Sequence, residues 1–275
     1  MNRAGVRAFF LVLACLAWSL SRAGVKGEGS YRETAVKNGG TVSGAVRLEG
    51  IIPRDATEPV TKDPDYCGKM KVSPRLIAGK NGAVKNAVVS LEQIAEGKKW
   101  NAPAIALLHQ RKCEYDPHVL VLGPHTELDI VNDDPILHNV HGYEQRESLR
   151  SVFNIAQPLK GQKTRIAPER LSDGEIRATC DAGHPWMNAY IVRLEHPYVA
   201  LTGEDGKFEI RDIPPGIYTL RMWHEGVTTK PSRVGSGTPP VVEQPYEASR
   251  QVSVEPNGHL AVDFTFALRS AFVSN

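Results

Sequence analysis

The sequence has little excess charge of either sign, since 33 Lys and Arg residues nearly balance 31 Asp and Glu residues over 275 positions. We find no basic stripe, so the composition gives no reason to expect a nucleic-acid partner. Aromatic residues are also few, at 7%. Glycine and proline are plentiful between short runs of valine, isoleucine, leucine and threonine, which is typical of an all-β protein.

The sequence also lacks the short motifs of several enzyme classes. It contains no Gly-x-Ser-x-Gly nucleophile elbow, no phosphate-binding loop, no HExxH zinc motif and no CxxCH haem attachment. The histidine-rich sites that a metal-dependent oxidase or reductase would need are missing as well. We therefore expect a protein that is not an enzyme.

The N-terminal segment has the pattern of a secretory signal. Residues 8–20 form an apolar run, preceded by two arginines and followed by the small-x-small sequence Ser21-Arg22-Ala23. This predicts a signal peptide over residues 1–23 and a periplasmic or secreted protein, with no membrane span after signal removal. A lipoprotein signal ending at Cys15 is the alternative, although it would have a very short apolar core.

Three cysteines follow this segment: Cys67, Cys113 and Cys180. An odd number in an oxidising compartment leaves one thiol unpaired. The simplest pairing joins Cys67 to Cys113 and leaves Cys180 free for a metal. The alternative is that all three are unpaired small residues of the core.

Short alternating runs between turn residues predict strands along the chain. Residues 24–39 are polar and glycine-rich, and we expect a flexible lead-in there. Residues 52–82 and 229–250 predict long loops. The predicted strands cover residues 40–48, 87–91, 112–115, 118–122, 126–131, 151–155, 164–166, 176–180, 189–194, 200–210 with a central turn, 217–223, 251–254 and 260–266.

One stretch carries most of the candidate chemistry. Cys180-Asp181-Ala182-Gly183-His184-Pro185-Trp186-Met187 places a thiol, an imidazole and a thioether close together, and a second histidine lies upstream in Leu137-His138-Asn139-Val140. One Cys, two His and a Met form the ligand set of a blue-copper electron-transfer site. We therefore predict His138, Cys180, His184 and Met187 as ligands of one copper ion, cycling between Cu(I) and Cu(II).

Residues 112–192 resemble the cupredoxin family, of the plastocyanin and amicyanin-like, methylamine-utilisation type. The resemblance is carried by Tyr115-x-Pro117, Val131-Asn132-x-Asp134 and His138-Asn139-Val140, followed by the cysteine, histidine and methionine of the ligand loop. It implies a Greek-key β-sandwich and redox protein partners. It also implies that the backbone N–H of Asn139 reaches the sulfur of Cys180, and that the Asn139 side chain holds the ligand loop.

The ligand loop departs from the amicyanin pattern in one respect. Its spacing is Cys-x3-His-x2-Met rather than Cys-x2-His-x2-Met, which equals half of the binuclear copper-A motif. Ile176 stands where copper-A needs another cysteine, and this disfavours two metals. His141 is the alternative ligand to His138. On a strand the two side chains point to opposite faces, so only one can face the loop, and the resemblance to cupredoxins implies that it is His138.

A second resemblance covers residues 200–266. Thr202-x2-Asp205-Gly206-x-Phe208 and Ile213-Pro214-Pro215-Gly216-x-Tyr218 resemble a carboxypeptidase regulatory-like (transthyretin-like) β-sandwich. The first strands of such a module lie upstream, within residues 40–100. We therefore predict a discontinuous domain of residues 40–100 plus 198–270, with a cupredoxin-like domain at 103–197 inserted. A separate N-terminal extension packed on the cupredoxin is the alternative.

Together these features predict an exported mononuclear type 1 copper protein that transfers single electrons. The alternatives are a copper storage or delivery protein, or a non-metal binding or adhesion module. Trp186 is interpreted as an exposed contact for electrons or as a lid that excludes water. We expect His118 at the surface, and Trp223-His224-Glu225 at a strand end.

Overall fold

The computed structural model describes residues 31–50, 57–145, 149–227 and 244–268. The predicted signal peptide, residues 1–23, lies outside them. Within the described residues the chain is almost entirely β-strand and turn, which confirms the all-β fold class. No helix in this part of the chain is long and apolar enough to cross a membrane.

The short helices are α1, Pro64–Cys67, and two 3-10 turns, Lys80–Gly82 and Pro168–Arg170. The strands, in chain order, are β1 Arg32–Glu33, β2 Gly40–Glu49, β3 Thr57–Pro59, β4 Met70–Val72, β5 Val88–Glu92, β6 Glu96–Gly97, β7 Ile105–Arg111, β8 Glu114–Asp116, β9 Val119–Leu122, β10 Glu127–Asn132, β11 His138–Gln145, β12 Leu149–Gln157, β13 Lys163–Ile166, β14 Gly174–Thr179, β15 Asn188–Arg193, β16 Val199–Leu201, β17 Lys207–Ile213, β18 Gly216–His224, β19 Tyr246–Val254, β20 His259–Ala261 and β21 Phe264–Ala267.

The central part of the chain forms one sandwich of two sheets. Its sheets have the strand orders β13-β10-β7-β8 and β12-β11-β14-β15-β9. β7 runs parallel to β10 and β9 runs parallel to β15, while the other pairs are antiparallel. Buried and exposed residues alternate along β7, as a half-buried strand requires, whereas β14 and β15 are buried along most of their length. Leu108, Leu122, Ile130, Ile176 and Ile191 are fully buried in this core.

Strands from both ends of the described chain build a second sandwich. One sheet has the order β16-β5-β18-β19, and the other has the order β17-β2-β20 with β21 also paired to β2. β2 and β5 precede the central sandwich in sequence, whereas the strands that pair with them follow it. Val42, Val89, Leu220, Met222 and Phe264 lie in its core. The predicted domain boundaries stay a prediction.

The segment predicted as a flexible lead-in is partly built into the fold. β1 pairs in parallel with β6, with Arg32 opposite Glu96. The Tyr31 hydroxyl donates to the Lys98 carbonyl at 2.7 Å, and its ring lies against Tyr198. The first residues of 31–39 are therefore part of the fold and not a flexible lead-in, because the contacts of Tyr31 and the pairing of β1 with β6 hold them.

Several strand predictions also need correction. The predicted strands do not include β7, yet β7 pairs with both β8 and β10. β19 begins at Tyr246, inside the predicted loop, because it pairs along its length with β18. The predicted single strand over residues 260–266 is two strands, β20 and β21, which both pair with β2. These pairings join distant parts of the chain, and local patterns do not report them.

The two sandwiches meet through a small buried cluster. Val88 and Trp223 of the second sandwich pack against Val119, Tyr190 and Val192 of the central one. The rings of Tyr190 and Trp223 have centroids 5.0 Å apart. Aromatic pairs at this distance add to the apolar burial that joins the two units.

A polar pair closes the same junction. His118, expected at the surface, is buried at 8% exposure. Its Nδ1–H donates to the Asn188 carbonyl at 3.1 Å, and its Nε2 is paired with the Glu225 carboxylate. The expectation was wrong because the second sandwich covers this end of the central sheet.

We predict that Asp129→Asn destabilises the central sandwich in a pH-dependent way. Asp129 faces Arg165 across β10 and β13, with contacts of 2.7 and 2.9 Å. These hydrogen bonds from Arg165 lower the pKa of Asp129 from 3.8. At pH 7 the variant should lose about 1 kcal/mol, since Arg165 remains accessible to water.

The sign of the pH dependence follows from that lowered pKa. The stabilisation by the Asp129–Arg165 contact is fully present above the pKa that Asp129 has in the unfolded chain. It is lost as the pH falls through the lower pKa that Asp129 has in the folded protein. Urea unfolding should therefore show a difference at pH 7 that disappears in acid, below the lowered pKa of Asp129 in the folded protein. Glu204→Gln, in an exposed pair with Lys85, is the control and should change little. If the free energy of unfolding of Asp129→Asn stays below that of the native protein in acid, the Asp129–Arg165 contact is not the cause.

Candidate metal centre

Adjacent strands of one sheet bring the predicted ligands together. His138 is the first residue of β11, and Cys180 directly follows β14. β11 and β14 pair antiparallel, so the two residues lie at the same end of the sheet. Met187 directly precedes β15, the next strand of that sheet. His184 stands on the loop between β14 and β15.

Three of the predicted residues form a compact buried group. One ring nitrogen of His138, the Cys180 Sγ and one ring nitrogen of His184 all lie within 4.8 Å of one another. The His184 Nδ1 lies 3.5 Å from the Cys180 Sγ. Both histidines are 0% exposed, and Met187 is 1% exposed within the same core cluster. The group could hold a metal ion.

The hydrogen bonding of the His138 ring supports a metal site. Its Nε2 lies 2.8 Å from Asp134 Oδ2. Its Nδ1 is buried, and among the described residues it has no hydrogen-bond partner. Buried polar atoms are nearly always satisfied, so an orphaned nitrogen beside a thiol and a second imidazole calls for a ligand. Copper fits this donor set, since soft thiolate and imidazole ligands suit it.

Asp134 fixes the orientation of the His138 ring. Its carboxylate also accepts from the backbone N–H groups of Lys112 at 2.7 Å and Cys113 at 2.8 Å, and from the Tyr66 hydroxyl at 2.8 Å. Burial acts to raise the pKa of Asp134, but the hydrogen bonds from His138, Cys113, Tyr66 and Lys112 outweigh it and lower the pKa to about 2. A carboxylate there can only accept, so the His138 proton sits on Nε2.

His184 has a carboxylate partner that we did not predict from the sequence. Its Nε2 lies 2.9 Å from Asp63 Oδ2. Burial lowers the pKa of His184, which the contact with Asp63 opposes. Asp63 lies in the segment predicted as a loop, 121 residues before its partner. Nothing in the local sequence distinguishes it from other loop aspartates.

The Cys180 sulfur is held by the backbone around it. The Asn139 N–H donates to Cys180 Sγ at 3.5 Å, and the Ala182 N–H donates to Asn139 Oδ1 at 3.0 Å. Burial raises the pKa of the Cys180 thiol, and the N–H groups of Asn139, Ala182 and His184 act to lower it. The thiolate is the form that binds metals, so metal binding here would release a proton.

The other two cysteines form a disulfide beside the group. Cys67 and Cys113 are bonded, and Cys180 is free and buried. Trp186 is 3% exposed, and its Nε1–H donates to the Cys113 carbonyl at 2.9 Å. Its ring centroid lies 5.2 Å from that of His184. Of the two interpretations of Trp186, this placement favours the lid that excludes water.

His141 lies in a different setting from His138. Its Nδ1 is 2.5 Å from Asp181 Oδ2, and its Nε2 is 2.8 Å from Ser151 Oγ. It does not belong to the buried group of candidate ligand atoms among the described residues. Ile176 is fully buried in the apolar core.

Comparisons with known proteins give likenesses for part of the chain. No family model matches the sequence, and no curated protein matches it. A purple cupredoxin from Nitrosopumilus maritimus is 20% identical with a TM-score of 0.28, covering 32% of this chain and 99% of its own. A reduced Cu(I) amicyanin variant is 19% identical with a TM-score of 0.28, covering 34% and 85%. A copper-containing nitrite reductase from Thermus scotoductus SA-01 is 20% identical with a TM-score of 0.28, covering 38% and 26%.

We predict that His138→Gln weakens metal binding far more than His141→Gln. Only His138 offers an orphaned buried nitrogen to the group, whereas both His141 nitrogens contact surface side chains. Loss of a ligand should exceed the 10- to 100-fold cost of losing an outer partner, so we expect a drop of more than about 100-fold in Co(II) affinity. The control, His141→Gln, should stay within about threefold. An equal loss for both variants would contradict this assignment.

We also predict that the disulfide stabilises the fold around the group. Cys67 and Cys113 are 46 residues apart in sequence. Closing a loop of this size in the unfolded chain corresponds to a stabilisation of about 4 kcal/mol in the chain-entropy model. The double variant Cys67→Ser, Cys113→Ser should therefore unfold at a lower urea concentration. Its free energy of unfolding should be lower by about 2 to 4 kcal/mol. A variant as stable as the native protein would argue against this role.

Proposed function

We propose that this protein is an exported mononuclear type 1 copper protein that transfers single electrons between redox protein partners. The observation that carries the proposal is the buried group of His138, Cys180 and His184, with the His138 Nδ1 orphaned. Met187, buried directly before β15, would supply the fourth ligand. Copper bound there would supply one-electron chemistry between Cu(I) and Cu(II).

The protein side of the site suits this chemistry because it is organised in advance. His138 is fixed by Asp134, and His184 by Asp63, each with its Nδ1 left for a ligand bond. Asn139 holds both the Cys180 sulfur and the ligand loop. Side chains held by packing and hydrogen bonds move little, which keeps the reorganisation on electron transfer small.

The proposed location rests on the cysteines and the N-terminal pattern. A disulfide between Cys67 and Cys113 suits an oxidising compartment such as the periplasm or the extracellular space. The apolar run over residues 8–20 would direct export. The same proposal makes the protein an electron carrier rather than an enzyme, since the sequence has no further histidine-rich copper site.

We further infer that residues 103–197 are a cupredoxin-like domain inserted in a discontinuous sandwich of residues 40–100 plus 198–270. The pairing of β2 with β17, β20 and β21, and of β5 with β16 and β18, supports the inference. The likeness of that second sandwich to a carboxypeptidase regulatory-like module rests on its sequence motifs alone.

The direct test is addition of Cu(II) to the purified mature protein. We expect an intense blue absorption band from thiolate-to-copper charge transfer, because Cys180 supplies the only thiol outside the disulfide among the described residues. Cys180→Ser should abolish the band, and His141→Gln should preserve it. Absence of the band, or its survival in Cys180→Ser, would contradict the proposal.

Electrochemistry separates the carrier from the storage or delivery alternative. A carrier should give reversible one-electron voltammetry of the copper-loaded protein at constant stoichiometry. Tight Cu(I) binding without a reversible Cu(II) state would favour delivery. No copper binding of either state would favour a non-metal binding module.

A further inference from the structure

A short segment outside the central sandwich lies across the ligand loop. We call residues 60–68 the strap. Lys62 Nζ donates to the Ala182 carbonyl at 2.5 Å, and Cys67 is bonded to Cys113. Between these two attachments, Asp63 reaches the ring of His184. The strap therefore covers the outer edge of this histidine, which is 0% exposed.

The backbone of the strap aims Asp63 at His184. Asp63 precedes α1 with φ 52° and ψ 42°, in the left-handed region, which aspartate and asparagine tolerate better than most residues. Its carbonyl accepts from the N–H of Cys67 at 2.9 Å and of Tyr66 at 3.1 Å. Its side chain makes no capping hydrogen bond to α1. The carboxylate is thus available for the imidazole.

The contact selects one form of the His184 ring. A carboxylate accepts hydrogen bonds, so the neutral imidazole places its proton on Nε2, 2.9 Å from Asp63. The lone pair is then on Nδ1, which lies 3.5 Å from the Cys180 sulfur. The same logic applies to His138, with Asp134 at 2.8 Å. Both imidazoles of the group are therefore oriented by carboxylates.

Two carboxylates behind two imidazoles have a predictable electrostatic effect. Partners of this kind raise the basicity of a ligating imidazole and fix its tautomer. Negative charge near a metal also stabilises its more highly charged state, and burial strengthens the effect. The Asp63 side chain is 35% exposed, so its influence is moderated by water, but it acts directly on a fully buried ring.

We propose that Asp63 is a positioning residue of the metal centre. Its carboxylate holds His184 with Nδ1 free for the metal and, together with Asp134, biases the site toward Cu(II) over Cu(I). The strap thus lets a residue outside the central sandwich set the balance between the two copper states. The copper part of this inference rests on the function proposed above, whereas the tautomer of His184 does not.

The test variant is Asp63→Asn, which keeps shape, tolerates the same backbone conformation and can still accept a hydrogen bond, but removes the charge. The matched control is Asp65→Asn, the same change at an exposed residue of the same short helix. Lys62→Met, which removes the other polar attachment of the strap, separates loosening of the strap from loss of the carboxylate.

Two measurements follow on the full mature protein. In the metal-free protein, long-range ¹H–¹⁵N correlation spectra report which ring nitrogen of His184 carries the proton; we expect Nε2. In the copper-loaded protein, chelator competition gives the Cu(II) and Cu(I) affinities separately. Asp63→Asn should lower the ratio of Cu(II) to Cu(I) affinity by about tenfold. Asp65→Asn should leave it within about twofold, and Lys62→Met, which removes a positive charge beside the ligand loop, should not lower it.

The outcomes separate this inference from the proposed function. A His184 proton on Nδ1, or an unchanged affinity ratio in Asp63→Asn, would overturn the positioning role even if the blue band forms. An equal loss of both affinities would also overturn it, because a merely structural contact has that effect. If the native protein forms no blue band, the proposed function fails, and the spectra of the metal-free protein alone decide how Asp63 acts on His184.

Discussion

The carboxylate of Asp134 joins the parts of the chain that make the candidate metal centre. It accepts from the ring of His138, from two backbone N–H groups at the turn between β7 and β8, and from the hydroxyl of Tyr66 in the strap. Four donors on one buried carboxylate keep it ionised and fix its position, since each lost bond would leave a buried polar group unpaired. Strand β11, the turn between β7 and β8 and the strap therefore all contact the carboxylate of Asp134.

The rest of the centre is built outward from that point. The turn that donates to Asp134 also carries Cys113, whose disulfide to Cys67 anchors the far end of the strap. Trp186 donates to the Cys113 carbonyl and fills the space beside His184. A single set of contacts therefore positions His138, covers His184 and excludes water. The loop of eight residues between β14 and β15 is thus contacted from outside at Ala182, His184 and Trp186.

Chain segments that precede and follow the central sandwich in sequence both reach the neighbourhood of the centre. The strap belongs to the chain between β2 and β5, and both strands are part of the second sandwich. Glu225, which directly follows β18, pairs with His118, and His118 in turn donates to the Asn188 carbonyl next to Met187. Both connections end on or beside a candidate ligand. Residues far from the ligand loop in sequence therefore contact it or the residues next to it.

Local patterns were enough to predict the all-β class, most of the strands and the loop that carries Cys180, His184 and Met187, whereas the cupredoxin pattern selected His138 over His141. Alternation of side chains and the spacing within one loop involve neighbouring residues only, so both can be recognised in the sequence, and the ligand roles stay a prediction. The hydrogen-bond partners of the candidate ligands and of His118 could be identified only from the tertiary structure. Asp63 acts on a histidine 121 residues away, and His118 is buried by a glutamate 107 residues away. Such contacts depend on how sheets pack and which loop crosses which, and no periodicity in the sequence reports a partner at that separation.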